Sequence, residues 1–245
     1  MDSEVRFNVH PQDYADETWH GNGATTIRQM VFGVNDGLVA TVGLVAGLIF
    51  AGSSKNIVLG ATLAAIIAAV SSMALGSYLS TQAEVGYQRA QIRREQREID
   101  EQPEEELREM RQIYRGYGLD EPEIEIFLSH FKRDKRLWLQ LMLRDELGLL
   151  PEAFESPWKN AGLMAMAVAA GSLPPLVPVL WSSSPRGAFG WVLALSAMTA
   201  FGLGAVTARS TGRRWWRAGL SFLMVAAIAA AIGMGAGHLI APLFS

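Results

Sequence analysis

Five long apolar stretches restrict the fold of this chain more than any other feature. Each is rich in Ala, Leu, Val, Ile and Gly, and they cover about residues 30–51, 57–79, 161–181, 188–208 and 215–239. A transmembrane helix needs about 20 mostly apolar residues, so each stretch is long enough to cross a bilayer. Gly and Ala at this density favour close helix packing in lipid. The sequence therefore predicts an all-α polytopic membrane protein with five transmembrane helices.

Acidic residues are confined to one part of the chain. All 24 lie at or before Glu155, and the last 90 residues contain none. A soluble surface mixes both signs of charge, so this segregation indicates membrane spans interrupted by one water-exposed, acid-rich insert. We predict four segments, namely a cytoplasmic N-terminal segment at 1–29, spans 1 and 2 within 30–82, a cytoplasmic insert at 83–158, and spans 3 to 5 within 159–245.

Basic residues predict the orientation of the spans. The segment before span 1 carries 2 Lys or Arg residues, the segment between spans 2 and 3 carries 13, and the loop between spans 4 and 5 with the edge of span 5 carries 4, whereas the other two loops carry one each. By the positive-inside rule, the N-terminus and the insert are cytoplasmic and the C-terminus is outside. The short N-terminal segment shows no targeting signal that we identify, so we expect a prokaryotic plasma membrane.

Composition excludes several classes of protein. The net charge of -3 argues against a nucleic-acid partner, which needs a basic face. The absence of Cys excludes disulfides, thiolate zinc sites and a cysteine nucleophile. Walker A and His-Glu-x-x-His motifs are also missing. We therefore expect neither an enzyme nor a prosthetic group.

The insert is predicted to form three helices. The first continues span 2 from about residue 83 to 101, and Pro103 then suits the first turn of the second, which ends at Gly118. A capping-box sequence beginning at Asp120 starts the third, whose apolar residues recur at helical spacing as far as Gly148.

Glutamates in this insert recur at spacings that place them on shared helical faces. Glu95 and Glu98 lie three apart, as do Glu106 and Glu109, while Met142 and Glu146 lie four apart. Oxygen ligands from several helices can enclose a divalent cation, and a thioether adds a softer ligand. The alternative is a solvated acidic surface whose ion-pair partners are Arg93, Arg94, Arg97 and Arg111.

Span 1 contains the one acidic residue within the five stretches, Asp36. A carboxylate at the bilayer centre costs on the order of 3 kcal/mol unless it is paired or solvated, so it indicates a functional site. The alternative is an Asp near the cytoplasmic interface that caps a helix break at residues 35–37. Met73 lies in span 2, and a carboxylate with a thioether favours transition ions over Mg²⁺ or Ca²⁺.

Three prolines, Pro174, Pro175 and Pro178, fall in span 3. Proline removes a backbone donor and clashes with the preceding turn. We therefore expect either a kink with a functional role or a helix that ends near Leu173.

With these motifs in place, the chain resembles the vacuolar iron transporter family, which includes nodulin-like members. The matching pieces are the strings at 32–38 (Phe-Gly-Val-Asn-Asp-Gly-Leu), 72–76 (Ser-Met-Ala-Leu-Gly) and 144–149 (Arg-Asp-Glu-Leu-Gly-Leu), together with the Glu-rich insert. The resemblance covers about residues 26–243. The chain departs from many members at Ser77, where they have Glu.

The resemblance implies a homodimer that exports Fe²⁺ and Mn²⁺ from the cytosol in exchange for protons. Asp36 and Met73 would line the translocation path at the dimer interface. Metal in the cytoplasmic domain would be held by Glu95, Glu98, Glu106, Glu109, Met142 and Glu146. Two other functions remain open, a divalent-cation channel and a membrane-anchored metal sensor or store.

Overall fold

The computed structural model describes residues 19–149 and 154–243, so most of the predicted N-terminal segment lies outside the described residues. The described chain is helical, and its α-helices are α1 (Trp19–Phe50), α2 (Lys55–Glu101), α3 (Pro103–Gly116), α4 (Glu121–Phe131), α5 (Lys135–Asp145), α6 (Pro157–Trp181), α7 (Pro185–Thr211) and α8 (Trp215–Ile240). Among the described helices, α1, α2, α6, α7 and α8 are long and apolar enough to cross a membrane. The prediction of an all-α chain with five candidate spans is therefore confirmed.

The chain divides into two compact units. The first unit comprises Met1–Leu79 and Pro157–Ser245, and the second is Ser80–Ser156. Helix α2 begins in the first unit and ends in the second. The location of the second unit in the cytosol stays a prediction.

Helix α1 forms the centre of the first unit, where it packs against α6 and α8. Glycines allow these close approaches. An added Cβ at Gly37 of α1 would overlap the carbonyl oxygen of Val168 in α6, and one at Gly237 of α8 would overlap the carbonyl oxygen of Gly47 in α1. Small residues at such seams let helix backbones touch, which is how helices associate in lipid.

Helix α6 continues through all three of its prolines as far as Trp181, so the expectation that it ends near Leu173 is wrong. Carbonyl groups at and just after its C-terminal end accept hydrogen bonds from a residue of another helix. The ammonium group of Lys55, at the start of α2, donates hydrogen bonds to the carbonyl oxygens of Leu180 at 2.9 Å and Ser182 at 2.8 Å. A cation at a helix C-terminus also complements the negative end of the helix dipole.

The second unit has its own apolar core, built from the end of α2 and from α3, α4 and α5. Fully buried members include Met110, Ile124, Leu128 and Met142. Ion pairs at the surface join the helices, since Arg111 of α3 pairs with Glu125 of α4, and Lys135 of α5 pairs with Asp100 of α2 at 2.5 Å. The unit is thus a small helical bundle.

One element of the insert was predicted wrongly. The single helix expected between Asp120 and Gly148 is two helices, α4 and α5. The predicted capping box is present at the start of α4. A second N-cap follows at Asp134, whose carboxylate accepts hydrogen bonds from the backbone N–H groups of Arg136 and Leu137 at 2.9 and 3.2 Å. Asp competes with the helix backbone in this way, so it starts a new helix inside an apolar periodic sequence.

Candidate metal centre

Glutamates from three helices of the second unit line a cavity of about 360 Å³. The end of α2 supplies Glu95 and Glu98, and α3 supplies Glu106 and Glu109. Glu146, the C-cap residue of α5, approaches from a third direction. The structure therefore brings together five of the six residues that the sequence predicts as metal ligands in the insert.

The polypeptide after α5 holds Glu146 at the cavity. Its backbone N–H donates to the carbonyl oxygen of Met142 at 3.0 Å, and Gly148 then adopts a positive φ of 63°. Glycine is favoured there because a side chain strains the left-handed conformation. The turn closes with a 2.7 Å hydrogen bond from the N–H of Leu149 to the carbonyl oxygen of Leu143.

Glu95, Glu106 and Glu146 lie closest together. One carboxylate oxygen of each lies within 4.8 Å of the others. Oxygens bound to opposite sides of a hard divalent cation are about 4–5 Å apart, because each metal–oxygen bond measures about 2.0–2.6 Å. Glu95 and Glu106 are buried, whereas Glu146 is exposed. The three oxygens are therefore close enough together to bind one cation, on a site open to solvent on one side.

Burial and mutual repulsion raise the pKa values of these carboxyl groups. Burial is the largest cause at Glu95, followed by the charge of Glu146 and a hydrogen bond with Glu106, and together they raise its pKa to about 8. Burial also raises the pKa of Glu106, and burial with the charge of Glu109 raises that of Glu146. Carboxylates held this close bind a proton or a cation to relieve their repulsion.

The Oε1 atom of Glu95 is buried and has no hydrogen-bond partner. Buried polar atoms in proteins are nearly always satisfied, so such an atom needs an explanation. A cation bound among the three carboxylates would satisfy it. This unpartnered oxygen distinguishes the cavity from an ordinary acidic surface.

Arginine neutralises little of this charge. Within the described chain, six glutamates and one arginine, Arg94, line the cavity. Arg94 pairs with Glu98 at 2.9 Å on the solvent side. Arg111, a partner in the alternative reading of the sequence, instead pairs with Glu121 and Glu125 of α4. The inner carboxylates are therefore left without an ion-pair partner among the described residues.

Met142 occupies a different environment from the glutamates. Its side chain is fully buried in the apolar core of the unit, and it is not one of the residues that line the cavity. It lies one helical turn before Glu146 on the same helix. Ligation by its sulfur stays a prediction.

The two predicted path residues lie on different helices of the first unit. Asp36 is in the middle of α1, and Met73 is in the apolar part of α2; both side chains are half-buried. Asp36 directly precedes Gly37, which packs against the backbone of α6 at Val168. Helix α1 is continuous through this position, so Asp36 does not cap a helix break at residues 35–37.

Sequence reasoning missed four residues that line the cavity, namely Gln91, Gln102, Glu105 and Leu147. A signal for two of them was present. Gln91, Glu95, Glu98 and Gln102 follow one another at intervals of four, three and four residues. That spacing places Gln91, Glu95 and Glu98 on one face of α2, just as it does for apolar residues, and Gln102 follows directly after the last residue of the helix.

Comparison with known proteins identifies the family of this chain. A family model described as the VIT family matches residues 27–238. The chain belongs to the VIT family. It is 32% identical to vacuolar iron transporter 2 of Oryza sativa subsp. japonica over 218 residues, and this aligned part covers 88% of each chain. It is 29% identical over 235 residues to vacuolar iron transporter 1 of Arabidopsis thaliana, covering 94% of each.

Membership of the VIT family confirms the resemblance found in the motifs. It also identifies a transporter family rather than an enzyme family, and it supports metal-ion transport across a membrane.

The expectation of a prokaryotic plasma membrane is wrong. Several curated relatives are eukaryotic proteins named vacuolar iron transporters. One of them, from Toxoplasma gondii, is 34% identical over 181 residues, which make up 73% of this chain and 55% of its own. Hydropathy and charge bias report that a chain spans a membrane and in which orientation. They do not report which membrane it is, and a short N-terminal segment adds no such information.

Proposed function

We propose that this VIT-family protein is a secondary transporter that moves Fe²⁺ and Mn²⁺ out of the cytosol in exchange for protons. The observation that carries the proposal is the glutamate cluster with its buried, unpartnered Glu95 oxygen. The metal is the transported substrate and not a resident cofactor. The names of the relatives support iron as one such substrate.

In this proposal the second unit is cytoplasmic and captures the metal. Glu95, Glu106 and Glu146 supply the innermost oxygens, while Glu98 and Glu109 line the same cavity. The one exposed glutamate of the inner three gives the ion a route of entry. Met142 adds the thioether of the predicted ligand set. Captured metal then passes to the membrane-spanning unit.

Asp36 and Met73 bind the ion on its way through the membrane. A carboxylate among apolar spans is costly unless it is paired, solvated or bound to a cation. A thioether that binds the same ion selects a transition ion, because Mg²⁺ prefers oxygen ligands and releases water reluctantly. These two residues carry the selectivity of the path.

The transporter works as a homodimer in which α2 contacts the partner. In the apolar part of α2 only 11% of residues are buried within the protomer, compared with 44% in the corresponding part of α1. The exposed positions include Gly60 and Gly76, where an added Cβ would meet no atom within 4 Å beyond its own helix backbone. Small residues of this kind suit contact with another helix better than contact with lipid.

Proton exchange follows from competition for the carboxylates of the cluster. Because the pKa of Glu95 is raised to about 8, its carboxyl group is mostly protonated at neutral pH until metal displaces the proton. Groups that bind either a proton or a cation link metal movement to pH without ATP.

The test is uptake of Fe²⁺ and Mn²⁺ into proteoliposomes that contain a pH-sensitive dye. An antiporter moves protons against the metal in a fixed ratio and responds to an imposed pH gradient. A divalent-cation channel moves metal with no counter-flow of protons that depends on metal. A membrane-anchored sensor or store binds metal but produces no uptake above that of protein-free vesicles, and either of these results rejects the proposal.

A further inference from the structure

A second cavity lies in the first unit, where α7 ends and α8 begins. It has a volume of about 640 Å³ and is lined by Arg209, Arg213 and Arg214 together with Ala205, Val206, Ala208, Trp215 and Trp216. The apolar span of α7 ends at Arg209 and that of α8 begins at Trp215, so the cavity lies at the boundary of the spans. Metal transport as proposed above makes no use of it.

Within the part of the chain that the structure describes, the arginines of this cavity have no acidic partner. No carboxylate side chain follows Glu155 in the sequence, and Asp36 is the one acidic residue in the described part of the first unit. None of the ion pairs within the described residues includes Arg209, Arg213 or Arg214. Three guanidinium groups around one cavity repel one another unless an anion lies among them. The charge therefore indicates an anionic ligand.

The other wall of the cavity is apolar and firmly held. Trp215 packs edge-on against Phe201 of α7 with ring centroids 5.9 Å apart, and the guanidinium group of Arg217 lies 5.1 Å from the ring centroid of Trp216. An added Cβ at Gly204 of α7 would overlap the backbone of α8 at Ala218. This close contact fixes the two helices that carry the cavity walls. A ligand that fills the cavity must join a charged group to an apolar body.

We propose that this cavity binds the headgroup of an anionic phospholipid, with the phosphodiester among Arg209, Arg213 and Arg214. Arginine matches phosphate because its planar group donates two parallel hydrogen bonds. The acyl chains lie along Val206 and Trp216, which continue from the cavity onto the apolar spans. Basic pockets between transmembrane helices recognise anionic headgroups in this manner.

The test measures lipid retained by the purified full-length protein in a mild detergent. Native mass spectrometry counts bound phosphatidylglycerol and phosphatidylcholine, and thermal unfolding is followed with each lipid, with glycerol 3-phosphate and with inorganic phosphate. The variant carries Arg209→Gln, Arg213→Gln and Arg214→Gln. A matched control carries Arg28→Gln, Lys159→Gln and Arg186→Gln, which remove three exposed basic charges from the same unit outside the cavity.

We expect the wild-type protein to retain phosphatidylglycerol in preference to phosphatidylcholine and to be stabilised by it. The cavity variant should bind phosphatidylglycerol on the order of a hundredfold more weakly, since each basic residue near an anionic lipid contributes several-fold in affinity. The control variant should bind as the wild type does. An Arg→Lys triple variant at the same positions keeps the charge and checks folding, and it should recover part of the affinity.

Three results would overturn the proposal. The first is a wild-type protein with no preference for phosphatidylglycerol. The second is an equal loss of binding in the cavity and control variants, which assigns the effect to net charge. The third is stabilisation by inorganic phosphate or glycerol 3-phosphate equal to that by the lipid, which makes the cavity a site for small anions.

Discussion

Glu95 of α2 and Glu106 of α3 hold carboxylate oxygens within 4.8 Å of each other, although they lie on different helices and both are buried. Two buried carboxylates held this close repel each other, which favours a proton on the pair. Burial and the charge of Glu146 raise the pKa of Glu95 to about 8, and burial also raises the pKa of Glu106. The pair thus holds in its metal-free form the proton that a metal ion would replace.

Glu95→Gln should stabilise the metal-free protein at pH 8 and weaken its metal binding. Folding raises the pKa of Glu95 from 4.5 to about 8, so the proton favours the folded state. That stability is fully present below about pH 4.5 and is lost as the pH rises through about 8. Glutamine stays neutral at pH 8, so the variant does not lose this stability. We expect its free energy of unfolding at pH 8 to exceed that of the wild type by about 1–3 kcal/mol, which is similar to the cost of a buried unsatisfied polar group.

Thermal unfolding from pH 5 to pH 8 checks the stability, and calorimetry with Mn²⁺ checks the binding. We expect metal affinity to fall at least tenfold in Glu95→Gln and to fall in the wild type as the pH is lowered. Glu104→Gln is the control, because Glu104 is an exposed neighbour on α3 outside the cavity. Equal metal affinity in Glu95→Gln and the wild type would contradict the site.

Local patterns in the sequence predict the helices and much of the cluster. The spacing of Glu95 with Glu98 and of Glu106 with Glu109 follows from helix geometry alone, as does the capping box at Asp120. The close approach of Glu95 and Glu106 is between two helices, and no local pattern predicts it. The helix break at Asp134 is not predicted either. Apolar residues continue at helical spacing across it, whereas the Asp134 side chain caps the start of a new helix.

The position of Met142 shows a similar limit. Its spacing from Glu146 predicts that both side chains point the same way along α5. The structure instead places Met142 in the apolar core and Glu146 at the cavity. Glu146 is the C-cap residue, with φ of -94° and ψ of -56°, so the chain begins to leave the helix there. Spacing arguments weaken at helix ends, where the backbone no longer repeats.

Met142→Leu tests the predicted thioether ligand. Leucine keeps nearly the same volume, so the free energy of unfolding should change by less than about 1.5 kcal/mol. A lost sulfur ligand should weaken Fe²⁺ and Co²⁺ binding more than Mg²⁺ binding, because Mg²⁺ takes only oxygen. Calorimetry with Co²⁺ and Mg²⁺ on the full-length protein makes the comparison. Unchanged affinity for both ions would leave Met142 with a packing role alone.

Asp36→Asn should reduce Fe²⁺ transport to the level of protein-free vesicles while the protein stays folded. Asparagine keeps the shape of aspartate and removes a charge that costs on the order of 3 kcal/mol in a bilayer, so stability should not fall. Asp100→Asn is the control, an exposed residue whose ion pair with Lys135 contributes at most about 1 kcal/mol. Uptake into proteoliposomes is the measurement, and wild-type rates in Asp36→Asn would exclude Asp36 from the path.

Gly237→Ala should destabilise the first unit at the seam between α1 and α8. Gly43 and Gly47 of α1 face Gly233 and Gly237 of α8, and an added Cβ at Gly237 would overlap the backbone of Gly47 on both its carbonyl group and its Cα. Backbone cannot move aside as the end of a side chain can, so the helices must separate. Forcing an extra methyl group into a packed contact costs about 1–3 kcal/mol.

Gly235→Ala is a matched control on the same helix, because nothing lies within 4 Å of its added Cβ and alanine is the better helix former. Thermal unfolding in detergent should therefore show a lower midpoint for Gly237→Ala and an unchanged or higher one for Gly235→Ala. Equal midpoints for the two variants would mean that the seam is looser than its backbone contacts require.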